Sequence, residues 1–570
     1  LAEAVSIRWR KDQGGKMKLA ENLRHGGRIV VDQLRIHGCE RVFLVPGESF
    51  LAVLDGLVDV PQIETIVCRQ EGGAAIMAEA YGKLTGKPGI CMVTRGPGAT
   101  NASAGVHVAR QDSTPMILLI GQVGRGMMDR EAFQEIDYRR MFEPLAKWVA
   151  QIDQIERIPE YISHAYHIAT SGRPGPVVLA LPEDVQSASA AVEDGKAYSK
   201  IEARPAAEDI SAFRALLEAA VRPLVIVGGS PWTAAASTHL IHFAERNNLP
   251  VANEFRCQDY MPNLHPNYVG DIGIGIDPNL AQMVAESELI ILLGARMGEI
   301  ASSGYQLLKI PCPKQKLVHI YPGADELGRV YRPDLAINAS QPSFLAALAK
   351  MEPIDGSGNA EWVGRGHANY LDFAKPLDTP GAVKMAHVIN QLRQSLPDDA
   401  IITNGAGNYA AFLHRFYHYQ SYRTELAPAS GSMGYGLPAA VSAKLQYPER
   451  EVICVAGDGC FMMHGQEFAT AVQFGANIIT IIVNNGMLGT IRMHQERNYP
   501  ARVSGTSLRN PDFAAYAKAF GGYGEKVTRT EDFAGALERA RKAKLPAIIE
   551  LQVDPEALTA TRTLTQIRHG

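Results

Sequence analysis

Short apolar runs closed by glycine, proline or a polar residue recur along the chain. RVFLVPG (41–47), TIVCRQ (65–70), GICMVTRG (89–96), PMILLIG (115–121) and PVVLALP (176–182) form a first set. PLVIVGGS (223–230), LPVANE (249–254), LIILLGAR (289–296) and KLVHIYPG (316–323) form a second. AIITNGAG (400–407), EVICVAGDG (451–459), NIITIIVNN (477–485) and AIIELQVD (547–554) form a third. Amphipathic stretches such as EGGAAIMAEAYGKL (71–84) lie between them. Continuous apolar strands alternating with helices predict parallel sheets covered on both faces. The fold class expected is α/β, with three consecutive open parallel-sheet domains.

Two polar stretches separate the units. Residues 183–205 are small and polar, and residues 352–381 are polar with glycine and proline. The boundaries expected are 18–190, 205–350 and 375–558, with a disordered extension over 1–17 and a C-terminal tail over 559–570. Met17 is a candidate natural start. The first and third units end alike, in PVVLALPEDV and PAIIELQVDPEA, which hints at a duplicated architecture.

Composition narrows the function classes. The 570 residues are 46% hydrophobic, which fits three domains of about 100–200 residues each. The formal charge is -4 with signs interspersed, so no basic block points to nucleic acid or a membrane surface. No apolar stretch approaches the roughly 20 residues that span a bilayer. The first residues lack the apolar core of a signal peptide. The seven cysteines (Cys39, Cys68, Cys91, Cys257, Cys312, Cys454, Cys460) are scattered and form no CxxC pair. A reduced, cytoplasmic protein without a disulfide framework or zinc site is expected. Cys460 is either a reactive thiol or a small buried filler.

Asp458 and Asn485 each follow an apolar strand, and ligands of open parallel sheets sit beyond the carboxyl ends of the strands. A carboxylate and an amide oxygen are hard ligands that suit Mg²⁺, which takes its remaining ligands from phosphate and water. Gly457 and Gly459 let backbone approach phosphate oxygens, and the helix that follows aims its N–H groups at the same anion. A Mg²⁺-diphosphate site is the physical reading. A lone GDG reads equally as a turn; its combination with NN after one helix and one strand is more specific.

This GDG…NN segment closely resembles the diphosphate-binding motif of thiamine diphosphate enzymes. The resemblance covers nearly all of the chain from Met17 and is closest to the acetohydroxyacid (acetolactate) synthase and benzaldehyde lyase branch. It implies a pyrimidine-binding domain, a central domain and a diphosphate-binding domain, in that order. It implies metal ligation by Asp458, Asn485 and the Met487 carbonyl, with Cys460 and Leu488 also against the cofactor. CRQEGGAAIMAEAYGK matches the segment carrying the carboxylate beside the aminopyrimidine, here Glu71. From position alone, Glu71 reads as a helix N-terminal glutamate stabilised by the dipole. ASGSMGYGLPAA resembles the segment that bends the cofactor, with Met433 wedged between its rings and the Gly431 carbonyl facing its amino group. Gly407 and Asn408, in NGAGNYA, are implied at the diphosphate. TRGPGATNASAG is implied beside the active site and not at the diphosphate.

The substrate side follows from the same resemblance. In REAFQEID, Gln134 would face the substrate with Phe133 beside it. In VPGESF, Glu48 stands where synthases have a second glycine. It is either a proton donor or acceptor, or a solvated loop glutamate. No His-His pair of the pyruvate decarboxylase type occurs in this region. GARMGEI departs from the synthase pattern, with Ile300 in place of an acceptor-binding arginine, and the segment after NN has His494 but no tryptophan. These departures argue for a rebuilt acceptor site and against FAD in the central domain.

The function expected is a Mg²⁺- and thiamine diphosphate-dependent carboligase or lyase acting on a 2-oxo acid or acyloin. The alternatives are a nonoxidative decarboxylase of the benzoylformate type and a catalytically silent homologue. A homodimer is the minimum unit, because the pyrimidine domain of one subunit faces the diphosphate domain of another in this family. A homotetramer is the assembly expected.

Overall fold

The computed structural model describes residues 9–11, 17–19 and 23–570, the first two segments by backbone alone. The extension expected over 1–17 therefore lies, apart from the strand Trp9–Lys11 and Met17, outside the described residues.

Three six-stranded sheets follow one another, and every strand pair within them is parallel. The first contains Arg41–Leu44, Glu64–Val67, Gly89–Val93, Met116–Gln122, Trp148–Gln151 and Pro176–Pro182. The second contains Pro223–Val227, Val251–Glu254, Tyr268–Ile272, Leu289–Leu293, Lys316–Tyr321 and Leu335–Asn338. The third contains Ile401–Asn404, Glu425–Leu426, Val452–Gly457, Ile479–Asn484, Tyr523–Val527 and Ala547–Gln552. Numbered in chain order within each sheet, the first and third share the order 2-1-3-4-6-5, whereas the second runs 3-2-1-4-5-6. The likeness of the two strand-six endings in the sequence thus extends to the whole topology.

Five strands have no counterpart among the apolar runs: 148–151, 268–272, 335–338, 425–426 and 523–527. Each lies at a sheet edge. An edge strand has one flank open and needs no continuous apolar run. YGEKV and LAIN alternate or mix polar residues accordingly.

The polar stretches also carry structure. Ser189–Ala191 pairs antiparallel with Leu23–His25. Helix Ala360–Phe373, inside the stretch that reads as a linker, buries Trp362, Val363, Gly366 and Tyr370 along one face. Among the described residues no helix is long and apolar enough to cross a membrane. All seven cysteines are free.

Helix Glu71–Thr85 joins the first and third units. The Gln70 side chain caps it by accepting from Gly73 N, and Gly86 ends it at φ +72°. Its alanines and glycines allow close packing: a Cβ on Gly105 of helix Pro97–Asp112 would come within 2.4 Å of Ala75 Cβ. Midway along it, Tyr435 Oη donates to the fully buried Glu79 at 2.6 Å. Lys83 pairs with Glu79 at 3.3 Å and with Asp112 at 2.5 Å. Asp112 in turn accepts from Ala429 N and Ser430 N, so the chain entering Gly431 is fixed from the other domain.

A second buried polar cluster ties the central unit to the third. Asp259 accepts from Thr424 N and Glu425 N, and Glu425 accepts from Gln258 N at 2.7 Å. Gln258 Nε2 donates to Asp271 at 3.2 Å. Arg256 spends its donors on the Pro428 and Gly405 carbonyls and pairs with none of these acids. Burial pushes all three carboxyls up, Asp271 to about 7. The folded state therefore keeps protons that the unfolded chain releases near pH 4. Their contribution to stability is full below that point and is lost as pH rises through about 7. The unfolding midpoint, followed by circular dichroism in denaturant, is expected to fall from about pH 5 to about pH 8, and Glu425→Gln to flatten that slope.

Candidate functional site

The site is built at the carboxyl edge of the third sheet. Gly457 stands in register with Val483, so Asp458 and the residues after Val483 emerge side by side. Asp458 opens a short helix, Asp458–Phe461, and is 2% exposed. Its Oδ1 accepts from Gly459 N at 2.8 Å. Its Oδ2 accepts from Gly486 N at 2.9 Å and from Asn510 Nδ2 at 2.7 Å. Burial pushes this carboxyl up against those donors. A divalent cation at the same place would favour the ionised form.

The two asparagines part company. Asn484 is the last residue of its strand and donates to the buried Glu550 at 2.8 Å. Asn485 turns into a cavity of about 270 Å³ that Asp458, Met487, Leu488, Met433 and Gly407 also line. Among the described residues no group of three or more His, Cys, Asp and Glu side chains could hold a metal. The oxygens available here are one carboxylate, an amide and backbone carbonyls, the donor set that suits Mg²⁺ with ligand phosphates.

The glycines make the room. A Cβ on Gly457 would come within 2.9 Å of the Tyr409 ring, and one on Gly459 within 2.6 Å of Leu488. Gly407 has φ +147° and precedes helix Asn408–Phe416, whose first residues Asn408 and Tyr409 line the cavity. Asn408 Nδ2 donates to the Leu558 carbonyl at 3.1 Å, and its Oδ1 accepts from Thr490 Oγ1 at 2.9 Å. Gly431 has φ +67°. Cys460 is buried, and its sulfur accepts from Tyr409 Oη and Gly434 N at 3.2 Å each. It thereby ties the Met433 loop to the GDG turn. This matches the filler reading, with the added work of a hydrogen-bond acceptor.

Glu71 stands apart. It opens helix Glu71–Thr85, and its Oε2 accepts from Asn101 Nδ2 at 2.9 Å. It does not line the 270 Å³ cavity of its own chain. The buried Glu467, from the third unit, accepts from Arg69 N and Gln70 N at 2.9–3.2 Å and from Thr470 Oγ1. It fixes the backbone on which Glu71 stands. Gln134 lies in the 125–137 loop at φ +65°, against Gly96. Glu48 is an exposed residue paired with Arg95 at 3.3 Å. Glu71, Glu48 and Gln134 thus gather at the edge of the first sheet, and the cofactor candidates at the edge of the third.

Four contributors escaped the sequence reading. Asn510 holds Asp458 and Asn484 together. Glu467 holds the Glu71 turn. Arg95 contacts Glu48. Leu558, beyond the last strand, lines the cavity. Asn510 and Glu467 act through pairings across long sequence separations, and no local pattern announces them.

A second cavity, about 1060 Å³, opens where the three units meet. Arg110, Arg173, Arg256 and Arg296 line it, as does Ile300. The glycine turn 228–229 and the strand-end turn 295–297 would be its phosphate cradle. Glu254 already fills that cradle. It accepts from Arg296 N and Met297 N at 3.1–3.4 Å and lies 2.5 Å from where a Gly228 Cβ would be. An anion there would have to displace a buried carboxylate.

Comparison with known proteins identifies the family. The family model "Thiamine pyrophosphate enzyme, N-terminal TPP binding domain" matches residues 24–141. The corresponding central domain matches 210–348, and the C-terminal TPP binding domain 405–551. The acetolactate synthase isozyme 1 large subunit of Escherichia coli is 33% identical over 540 residues, covering 93% of this chain and 94% of that protein. The acetolactate synthase large subunit of Corynebacterium glutamicum is 31% identical over 549 residues, with 93% and 87% covered. A probable acetolactate synthase large subunit of Methanocaldococcus jannaschii is 30% identical over 555 residues, with 94% and 93% covered. Three domain matches in order, and relatives at this identity over nearly the full length, establish that the chain belongs to the thiamine pyrophosphate enzymes and is an enzyme of the acetolactate synthase type.

Proposed function

We propose that this enzyme is a Mg²⁺- and thiamine diphosphate-dependent carboligase or lyase of 2-oxo acids or acyloins. The observation that carries the reading is the 270 Å³ cavity, where Asp458, Asn485, Met487, Gly407 and Met433 converge from separate strand ends. Thiamine diphosphate, when bound, supplies the electron sink for breaking and making bonds at a carbonyl carbon. Asp458, Asn485 and the Met487 carbonyl would hold the metal. Gly457, Gly459, Gly407 and Asn408 would receive the diphosphate, and Cys460 and Leu488 would back it. Met433 and the Gly431 carbonyl would shape the ring end. Glu71 would hold a proton at the aminopyrimidine N1′. Gln134 and Glu48 would face the substrate, Glu48 as proton donor or acceptor.

Glu71 and Asp458 of one active site come from different chains in this reading, which makes a dimer the minimum unit and a homotetramer the assembly proposed. Sequence chemistry favours the cytoplasm. The occupied Glu254 cradle favours a central domain without FAD.

Three measurements test the reading. With thiamine diphosphate and Mg²⁺, a panel of 2-oxo acids with and without aldehyde acceptors is expected to give a ligated product by NMR. CO₂ with free aldehyde alone would make it a decarboxylase. Glu71→Gln is expected to lose at least about 10²-fold in turnover while still binding cofactor. Mixed and re-associated with inactive Asp458→Ala, it should recover about one quarter of the wild-type sites, because one hybrid site in two is intact. No recovery would place both residues in one chain's site. The purified protein is expected to show no flavin band in its visible spectrum.

A further inference from the structure

Three substrate-side elements meet at one guanidinium that neither the motifs nor the comparisons single out. Arg95 follows the third strand of the first sheet and is 8% exposed. Its Nε donates to the Phe133 carbonyl at 3.1 Å, its Nη2 to Glu48 at 3.3 Å and its Nη1 to Glu183. These partners belong to the 125–137 loop, to the turn after the first strand and to the start of helix Glu183–Ser187.

The 125–137 loop needs holding. Asp129, Glu131 and Gln134 have φ of 61°, 55° and 65°. Left-handed non-glycine residues persist only where their surroundings over-determine them. Within the loop, Glu135 accepts from Asp129 N and Ala132 N at 2.8 and 2.9 Å, bonds that hold its carboxyl below the ordinary range. From outside, the loop is held at its start by Asp184, which accepts from Arg125 N and Nε, in its middle by Arg95 at Phe133, and at its end by Gln122 Nε2, which donates to the Ile136 carbonyl at 2.8 Å; just beyond it Gly96 N donates to Tyr138 Oη at 2.8 Å. Arg95 therefore grips the residue next to Gln134 with one nitrogen and Glu48 with another. It also offsets one of two carboxylates that would otherwise face an anionic substrate.

We propose that Arg95 is a positioning residue of the substrate mouth. It fixes Gln134 and Glu48 relative to each other and lets an anionic 2-oxo acid approach the Glu48–Glu183 pair. This rests on the reading that Gln134 and Glu48 face the substrate. Lysine at this place keeps the charge but cannot reach three partners with one planar fork.

The test compares Arg95→Gln and Arg95→Lys with the wild type as full-length holoenzymes. Arg95→Gln is expected to raise KM for the 2-oxo acid and to lower kcat, a combined loss on the order of 10²-fold in kcat/KM, with thiamine diphosphate affinity unchanged. Arg95→Lys should restore KM and leave kcat low. Values for Arg95→Gln within about twofold of wild type would overturn the proposal, as would rescue of both constants by lysine. Hydrogen–deuterium exchange gives a readout independent of turnover. Residues 128–137 should exchange faster in Arg95→Gln, while 404–408 and 456–460 stay unchanged. If the wild type itself consumes no 2-oxo acid, the functional reading fails on its own. Unchanged exchange over 128–137 then overturns the role of Arg95 as well.

Discussion

Helix Glu71–Thr85 carries the constraint on which the catalytic geometry depends. It lies against the diphosphate-binding unit and is buried nearly throughout, so its polar groups must be satisfied from across the domain boundary. At its start, Glu467 receives the N–H groups just before Glu71. In its middle, Glu79 accepts from Tyr435 and Lys83 donates to Asp112, which holds the chain just before Gly431. One helix therefore sets the place of Glu71 at one sheet edge and of the Gly431–Met433 segment at the other. Burial pushes the Glu467 carboxyl up, against the donors from Thr470, Arg69 and Gln70. Removing the Glu467 carboxyl would leave those buried amides unpaired, which is costly.

The sequence was most legible where burial leaves no choice. Inner strands, flanked on both sides and covered on both faces, must be apolar throughout, and every one of them stands out as an apolar run. Edge strands such as Trp148–Gln151 and Tyr523–Val527 are under no such demand, and they merge into the loops. The same contrast governs the site. Asp458 and Asn485 are legible because strand ends and glycines mark them. The division of labour between Asn484 and Asn485 depends on Glu550, a residue of another strand. Asn510 is fixed by a loop that folds back so that Met487 and Ser507 bridge, and nothing in RNPD foretells that return. Arg95 lies inside TRGPGATNASAG, yet its three partners stand at separations of 38 to 88 residues.

The large cavity at the junction of the three units is instructive about what arginines mean. Six guanidiniums suggest an anion, but the strand-end N–H groups of Arg296 and Met297 are already taken by Glu254, and burial raises that carboxyl. A glycine-rich turn and a basic wall are thus insufficient to read a ligand. The decisive question is whether the N–H groups are free.

The shared 2-1-3-4-6-5 order lets the turns of the outer sheets be laid over one another. After the first strand, four residues on, stands Glu48 in one copy and Asn408 in the other. Two residues after the third strand stands Arg95 in one, and directly after it stands Asp458 in the other. The same turn of the two outer sheets thus carries opposite charges: Asp458 receives backbone and amide N–H groups on one side, and Arg95 gathers carboxylates on the other. Such a pair shows how a repeated scaffold can turn the same strand-end turn to opposite electrostatic use in its two copies.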